Sequence, residues 1–314
     1  MKVSGKQAGL VTPGVRHMLK KYNLDVAKIK GTGRYGRVLK EDVQQYILAV
    51  ASTSISTNIS VSARGDRVVP LTPTENQMFK VMTQSLNIPH FLYTHGVDFA
   101  SLNNSRKRFN TNATVSSIAL TSGDSAPKLT PLPFIMKALS LAFVQYPKLN
   151  AHLDVESIPN KPQLLIKSSH NFGIAVDTPQ GLLVPVVKDV QNHSIMSLAT
   201  EINRLSILAR NGKLGVDDFK GATFTVSNIG SIGGSTVGPV IVSPNVGILG
   251  VGRARDIPAF QKDEQGIDKI VKREEVTLSW SADHRIIDGA TLARCAKIVQ
   301  EVLENVELIG AILK

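Results

Sequence analysis

The sequence predicts an α/β fold over most of its 314 residues, preceded by a small helical unit. Three observations lead there. From residue 67 onward, stretches with helical spacing alternate with short β-branched runs. Near the start, a glycine-rich loop is framed by two helix signals. Between these zones lies a small-residue, polar stretch without periodicity. The length accommodates one large domain and one small one.

The first unit, 11–47, opens with Thr12-Pro13, an N-cap and first-turn pair, and continues with Val15, Met18, Leu19 and Tyr22 at helical spacing. A loop, Gly31-Thr32-Gly33-Arg34-Tyr35-Gly36-Arg37, leads to a second helix signal over 40–47. Two short helices around a loop make a core that is marginal by size. Residues 48–66 read as a flexible tether, which would keep a bound partner near the rest of the chain. In 67–314, residues 132–143 and 201–210 have helical periodicity, and 163–168, 172–176, 182–187, 222–227 and 246–251 read as strands. No internal repeat is evident.

The formal net charge of +11 raises nucleic-acid binding as a possibility, but its distribution argues otherwise. Residues 11–47 hold eight basic side chains (Arg16, Lys20, Lys21, Lys28, Lys30, Arg34, Arg37 and Lys40) against three acids (Asp25, Glu41 and Asp42). Tyr22, Tyr35 and Tyr46 are thin for base stacking, and an acidic protein partner explains the charge at least as well. The single cysteine, Cys295, excludes an intramolecular disulfide and has no metal-type spacing, so it is expected in the core and no metal site is expected. No apolar run reaches membrane-spanning length, and the first residues carry neither a secretory signal nor a convincing transit peptide.

The chemistry concentrates in Ser281-Ala282-Asp283-His284-Arg285-Ile286-Ile287-Asp288-Gly289. The alternating run 276–280 before it reads as a strand, and 290–299 after it has helical periodicity. His284 is therefore expected at a strand-to-helix corner, where an imidazole can face a cleft and take a proton from a weak nucleophile. Asp288 would equally serve as an N-cap, and a histidine at a strand end is often only structural. The glycines at 230, 233 and 234 form no nucleotide fingerprint and are expected to let backbones approach closely through positive φ.

The string S-A-D-H-R-I-I-D-G resembles the D-H-R-x-x-D-G signature of the dihydrolipoamide acyltransferase components of 2-oxoacid dehydrogenase complexes. The resemblance extends through Ile88-Pro89-His90-Phe91, the 170–182 segment and Phe224-Thr225-Val226-Ser227-Asn228-Ile229-Gly230-Ser231-Ile232-Gly233-Gly234. It is nearest the branched-chain member, lipoamide acyltransferase, through S-W-S-A-D-H-R and S-N-I-G-S-I-G-G. Residues 11–47 resemble the peripheral subunit-binding domain of the same proteins, in T-P-x-V-R and G-T-G-x-x-G-R-V-L-K-E-D-V.

This resemblance implies a chloramphenicol-acetyltransferase-like catalytic core over 67–314, trimers with active sites between subunits, and a 24-subunit assembly. The implied reaction moves an acyl group, 2-methylpropanoyl by the nearest member, between the dihydrolipoamide thiol and coenzyme A. His284 is the implied general base and Ser227 the hydroxyl that stabilises the oxyanion; without the family context Ser227 would read as an ordinary strand-end serine. Asp288 belongs to the implied site, with a structural role favoured. Arg106, Thr130, Asp177 and Asn228 are the implied coenzyme A neighbours. Arg106 is placed at a phosphate, with Arg108 as its substitute because the 103–108 stretch drifts from the family pattern.

Through residues 11–47 the partners would be a 2-oxoacid decarboxylase, dihydrolipoamide dehydrogenase, or both, with Arg16, Arg34, Arg37 and Lys40 as contacts. Lipoate is expected on a lipoyl domain absent from this chain, and a mitochondrial matrix location follows from the family alone. The apolar end, 308–314, is expected to dock on a neighbouring trimer. Acetyl transfer in a pyruvate dehydrogenase complex and a non-catalytic core or binding subunit are the alternatives; His284 and Ser227 weigh against the last. A Ser-His-Asp hydrolase with Ser227 as nucleophile competes as a mechanism, but no G-x-S-x-G elbow surrounds that serine.

Overall fold

A computed structural model describes residues 11–22, 24–47, 66–112, 127–155, 157 and 161–309. The chain divides into two compact units, 1–70 and 71–314.

In the first unit, α1 (Pro13–Lys21) starts with Pro13 as expected, although the Thr12 hydroxyl makes no capping bond. A second helix, α2, covers 40–47. Val15 and Leu19 from α1 meet Ile29, Val38 and Val43 in a five-residue buried cluster. So small a core needs polar staples, and Asp42 supplies one. Its carboxylate accepts from the Thr32 amide (3.0 Å), the Thr32 hydroxyl (2.6 Å) and the Leu39 amide (2.8 Å), tying the loop to the start of α2. The Thr32 hydroxyl, followed by the two amides, holds the Asp42 carboxyl below its ordinary range.

The second unit runs α3 (Pro73–Ser85), β1 (His90–Asp98), α4 (Ala100–Thr111), α5 (Pro131–Gln145), β2 (Ala151–Asp154), β3 (Gln163–Ile166), β4 (Phe172–Ile174), β5 (Val176–Thr178), β6 (Gly181–Leu183), β7 (Val186–Val187), α6 (Ile195–Arg210), β8 (Phe224–Asn228), β9 (Gly247–Val251), β10 (Arg255–Lys262), β11 (Asp268–Asp283) and α7 (Gly289–Glu304). The main sheet has the order β1-β11-β9-β8-β4-β7, with β10 paired to β11. Strands β4, β8 and β9 are parallel neighbours, whereas β11 runs antiparallel to β9 and to β1 on its other side. This is the α/β architecture expected.

Strand alternation gives the sheet two unlike faces. Val226, Leu249, Trp280 and Tyr93 stand in one cross-strand row on the core face. There they pack with Met136 and Leu139 of α5 and with Cys295 and Val299 of α7. Trp280 is fully buried, and emptying its site would cost about 3–5 kcal/mol. The adjacent row, Ser227, Gly250, Ser279 and Thr94, faces the other side. There the Val237 amide donates to the Ser279 hydroxyl and the Ile241 amide donates to His90 Nε2.

The expected strands at 172–176 and 182–187 are four short pieces. Val226 O takes the Ala175 amide as β4 ends, Gly181 turns the chain at φ +112°, and Pro185 has no amide to continue a ladder. The α3–β1–α4 stretch has no counterpart in the sequence reading. The end expected to dock on a neighbour lies outside the described residues from 310 onward.

Candidate active site

The corner after β11 is built by backbone bonds. The carbonyl of Asp283, the last residue of the strand, accepts the amides of Ile286 and Ile287, which forces a tight turn. The turn delivers the chain to Asp288, the N-cap of α7. His284 stands in that turn, its amide bonded to Pro89 O at 2.9 Å. Its ring lies 4.8 Å from the Phe91 ring, centroid to centroid. A side chain on Gly289 would meet Phe91 at 2.8 Å, so glycine at this position lets the phenyl ring sit beside the histidine.

The imidazole Nδ1 is 3.0 Å from Ile287 O. A carbonyl only accepts, so Nδ1 carries the proton and Nε2 keeps its lone pair. Among the described residues Nε2 has no hydrogen-bond partner, and His284 is exposed. The corner thus presents a base of fixed tautomer to whatever approaches it.

Either side of His284 the chain is locked by Asp283 and Arg285. Asp283 is 1 % exposed, and Arg285 chelates it: Nε lies 2.9 and 3.1 Å from the two oxygens and a terminal nitrogen lies 2.6 Å from Oδ2. The Arg285 amide adds a bond of 3.0 Å. The hydrogen bond to Asp283 raises the guanidinium pKa further. The sequence reading placed Arg285 only as a flanking residue and gave Asp283 no role. Burial of the acid, which the sequence does not display, is what sets this pair apart.

Asp288 points away from the imidazole. Its two oxygens accept from the Thr291 amide and hydroxyl, each at 2.8 Å. The Thr291 amide, then its hydroxyl, keeps the Asp288 carboxyl below the usual carboxylate range. Asp288 is therefore a helix cap that shapes the turn, and among the described residues its carboxylate makes no hydrogen bond to His284.

Ser227 lies elsewhere on the sheet. It is the penultimate residue of β8, in register with Gly250, which pairs with Ser279. His284 follows Ser279 by five positions along β11 and two strands across. At about 3.3 Å per residue and about 4.8 Å per strand, the two side chains are separated by roughly 15–20 Å within one chain. Asn228, half-buried like Ser227, leads into a short turn in which the Ser231 hydroxyl donates to Asn228 O. Gly230 there is needed for close approach to Gly252 and Gly234 adopts φ +79°, whereas Gly233 has open space and an ordinary φ.

Arg106 and Thr130 converge. Arg106 Nε donates to Asn103 Oδ1 at 3.1 Å and its Nη1 lies 3.4 Å from Leu129 O, the carbonyl just before Thr130. Asn110 grips Leu129 through both its amide and its carbonyl. Arg106 is half-buried and anchored, whereas Arg108 is exposed. Asp177 sits exposed on the separate β5–β6 hairpin. Sequence reasoning also missed Lys137 of α5. The residue is 3 % exposed, and its ammonium donates to the carbonyls of Gln191 (2.9 Å) and His193 (2.7 Å), clamping the loop before α6. Burial lowers its pKa. Among the described residues no cluster of three His, Cys, Asp or Glu side chains offers a metal site.

The order of the sheet and the corner that holds His284 can be set beside those of known proteins. The chain belongs to the 2-oxoacid dehydrogenase acyltransferases: residues 63–311 match the family of their catalytic domain, and residues 10–44 match the e3 binding domain family. The second unit, with its α/β architecture, lies within the stretch matched to the catalytic-domain family. The chain is 38 % identical to the mouse lipoamide acyltransferase component of the branched-chain alpha-keto acid dehydrogenase complex, over 95 % of this chain and 63 % of the relative. It is 36 % identical to the dihydrolipoyllysine-residue acetyltransferase component of the pyruvate dehydrogenase complex of Staphylococcus aureus, over 95 % of this chain and 70 % of that one. It thus spans less than two thirds of the mouse relative's length.

Among solved structures, it superposes on Azotobacter vinelandii dihydrolipoamide acetyltransferase with a TM-score of 0.69 and 33 % identity, covering 80 % of this chain and 97 % of the other. That enzyme was studied for the roles of a serine, a histidine and an asparagine in its catalytic mechanism. A cubic core of a pyruvate dehydrogenase multienzyme complex superposes equally well, with a TM-score of 0.69.

Proposed function

We propose that this chain moves an acyl group between the thiol of dihydrolipoamide and the thiol of coenzyme A, as the core of a 2-oxoacid dehydrogenase complex. The single observation behind this reading is the His284 ring, with Nδ1 held on Ile287 O and Nε2 open. A thiol with a pKa of about 8.5 is mostly protonated at neutral pH, so a positioned base is worth about 10²–10⁴-fold. His284 Nε2 takes the proton of the coenzyme A thiol as its sulfur attacks the acyl-dihydrolipoyl thioester carbonyl. Ser227 Oγ donates to the tetrahedral oxyanion. Collapse breaks the bond to the lipoyl sulfur, and the imidazolium returns the proton to that leaving thiolate. No acyl-enzyme forms.

Ser227 and His284 stand too far apart in one chain to act on one carbonyl. The reading therefore places the site between two copies, in a trimer, and a 24-subunit particle is the larger assembly proposed. Arg106, held beside Leu129, is assigned to a coenzyme A phosphate, with Thr130, Asp177 and Asn228 as further neighbours. Lipoate arrives on a lipoyl domain. Residues 11–47 are assigned to docking dihydrolipoamide dehydrogenase, a decarboxylase, or both, on the e3 binding match. Residues 48–66 are the proposed tether and 67–314 the catalytic core. The likeness to branched-chain lipoamide acyltransferases favours 2-methylpropanoyl transfer, and those of mouse, cattle and Arabidopsis, described as mitochondrial, favour the matrix. The Staphylococcus aureus relative keeps acetyl transfer as the second reading.

The test compares isobutyryl-coenzyme A with acetyl-coenzyme A as donors to free dihydrolipoamide, for the parent chain and His284→Ala. The isobutyryl group should be preferred, and kcat should drop by about 1,000-fold in the variant. An acetyl preference would move the chain to the pyruvate branch. Undiminished transfer by His284→Ala would remove the base from the mechanism.

A further inference from the structure

We propose that Tyr35 is the aromatic anchor by which the 11–47 unit seats on an acidic partner enzyme. The inference deepens the docking reading above and rests on it. Tyr35 is 87 % exposed at the tip of the loop between Gly33 and Arg37. Its backbone stands at φ 61°, ψ 30°, a left-handed conformation that glycine or asparagine adopts more easily than tyrosine. A side chain this bare adds no burial, and its backbone adds strain, so neither the local fold nor the loop gains from a tyrosine here. Residues held in such conformations cluster at binding sites.

The loop beneath Tyr35 is rigid. The Gly33 amide bonds to Arg37 O at 2.9 Å and the Gly36 amide to Gly33 O at 3.0 Å. Asp42 fastens Thr32 and Leu39 at either end. A side chain at Gly31 would strike the backbone of Gly36 and Arg37, so the two arms of the loop are in direct contact. With the backbone already fixed, docking has only the two side-chain torsions of the tyrosine to order, a low cost that suits an interface hot spot.

Charge identifies the partner. The Arg34 guanidinium lies 6.0 Å from the Tyr35 ring centroid. Arg37 and Lys40, two and five residues further along, are exposed, and among the described residues Arg34, Arg37 and Lys40 form no ion pair. Three exposed cations on the segment that carries this bare ring fit a protein face with an apolar recess rimmed by carboxylates. The cations steer the encounter and the ring supplies the central contact.

The test measures binding of the full chain to dihydrolipoamide dehydrogenase from the same source, over a salt series. Tyr35→Ala should weaken binding by about 30-fold. Tyr35→Asn suits positive φ, so it should hold or raise the thermal midpoint of the small unit while losing affinity to the same degree. Its salt dependence should match the parent's, whereas Arg37→Ala should flatten that dependence. Tyr35→Phe should bind within about threefold of the parent. Parent-like affinity in Tyr35→Asn would overturn the anchor and leave the docking reading standing. A parent chain that does not bind the dehydrogenase at low salt would remove the dehydrogenase from the docking reading and overturn the anchor with it.

Discussion

A histidine works as a base only when its tautomer and its direction are fixed, and at this corner both come from neighbours four residues away or less, plus one phenyl ring. Ile287 O selects the tautomer, the Asp283–Arg285 chelate holds the turn, and Phe91 supports the ring. Asp288 contributes through the helix it caps, and this separates two roles experimentally. Asparagine caps as well as aspartate and alanine does not. Asp288→Asn should therefore keep kcat within about threefold of the parent, while Asp288→Ala should lower it further by loosening the first turn of α7. Steady-state acyl transfer by the two variants decides it; equal loss in both would assign the carboxylate's charge a direct part. His284 and its corner were legible in the sequence because strand alternation and helical periodicity bracket them. The Asp283–Arg285 pair was not. In a string of letters, an acid and a base two apart look like any solvated charges, and only burial of the acid shows otherwise.

At the scale of elements, what the sequence revealed followed the apolar content. Helices α5, α6 and α7 carry buried stripes and were read with ends a few residues off. Helix α3 buries only Ser85, and α4 only Leu102 and Asn103, so neither has an apolar face for periodicity to find. Histidines at the junctions of elements were equally hidden. His95 of β1 accepts the Trp280 indole N–H at Nε2, His152 of β2 holds Ala222 O, and His170 bonds the Ser140 hydroxyl of α5. Burial, the largest cause in each, lowers all three pKa values. Around His95, Gln300 and Glu304 oppose that shift; for His170, Lys137 adds to it. The sign then follows from linkage. The unfolded imidazoles, with a pKa of about 6.5, bind protons that the folded ones refuse, so stability rises with pH up to that region and flattens above it. Protonation at Nε2 of His95 would also set two N–H groups against each other. Urea unfolding of the second unit, followed between pH 5 and pH 8, should show midpoints climbing to about pH 6.5 and then levelling. A midpoint falling over that range would contradict the buried neutral state.

The whole molecule poses a question of geometry: one sheet carries Ser227, the proposed oxyanion donor, near the end of β8, and His284, the proposed base, stands just beyond the end of β11, roughly 15–20 Å away. No side-chain rotation closes that gap, and the sheet between them is a packed layer with Trp280 at its centre. If both residues serve one carbonyl, they must come from different copies, in a head-to-tail contact that a three-fold axis can close. This makes inactive variants complementary. His284→Ala retains a working Ser227, and Ser227→Ala retains a working His284, so each alone should be nearly silent. Co-expressed in equal amounts and assembled at random, they place an intact histidine opposite an intact serine at about one site in four. Acyl transfer should return to about a quarter of the parent rate per site, and mixing the two after assembly should restore nothing until the particles exchange subunits. Complementation requires that the serine and histidine meet across a boundary. If both acted within one chain, every mixed particle would contain only broken sites, and the co-expressed protein would stay as silent as its parts.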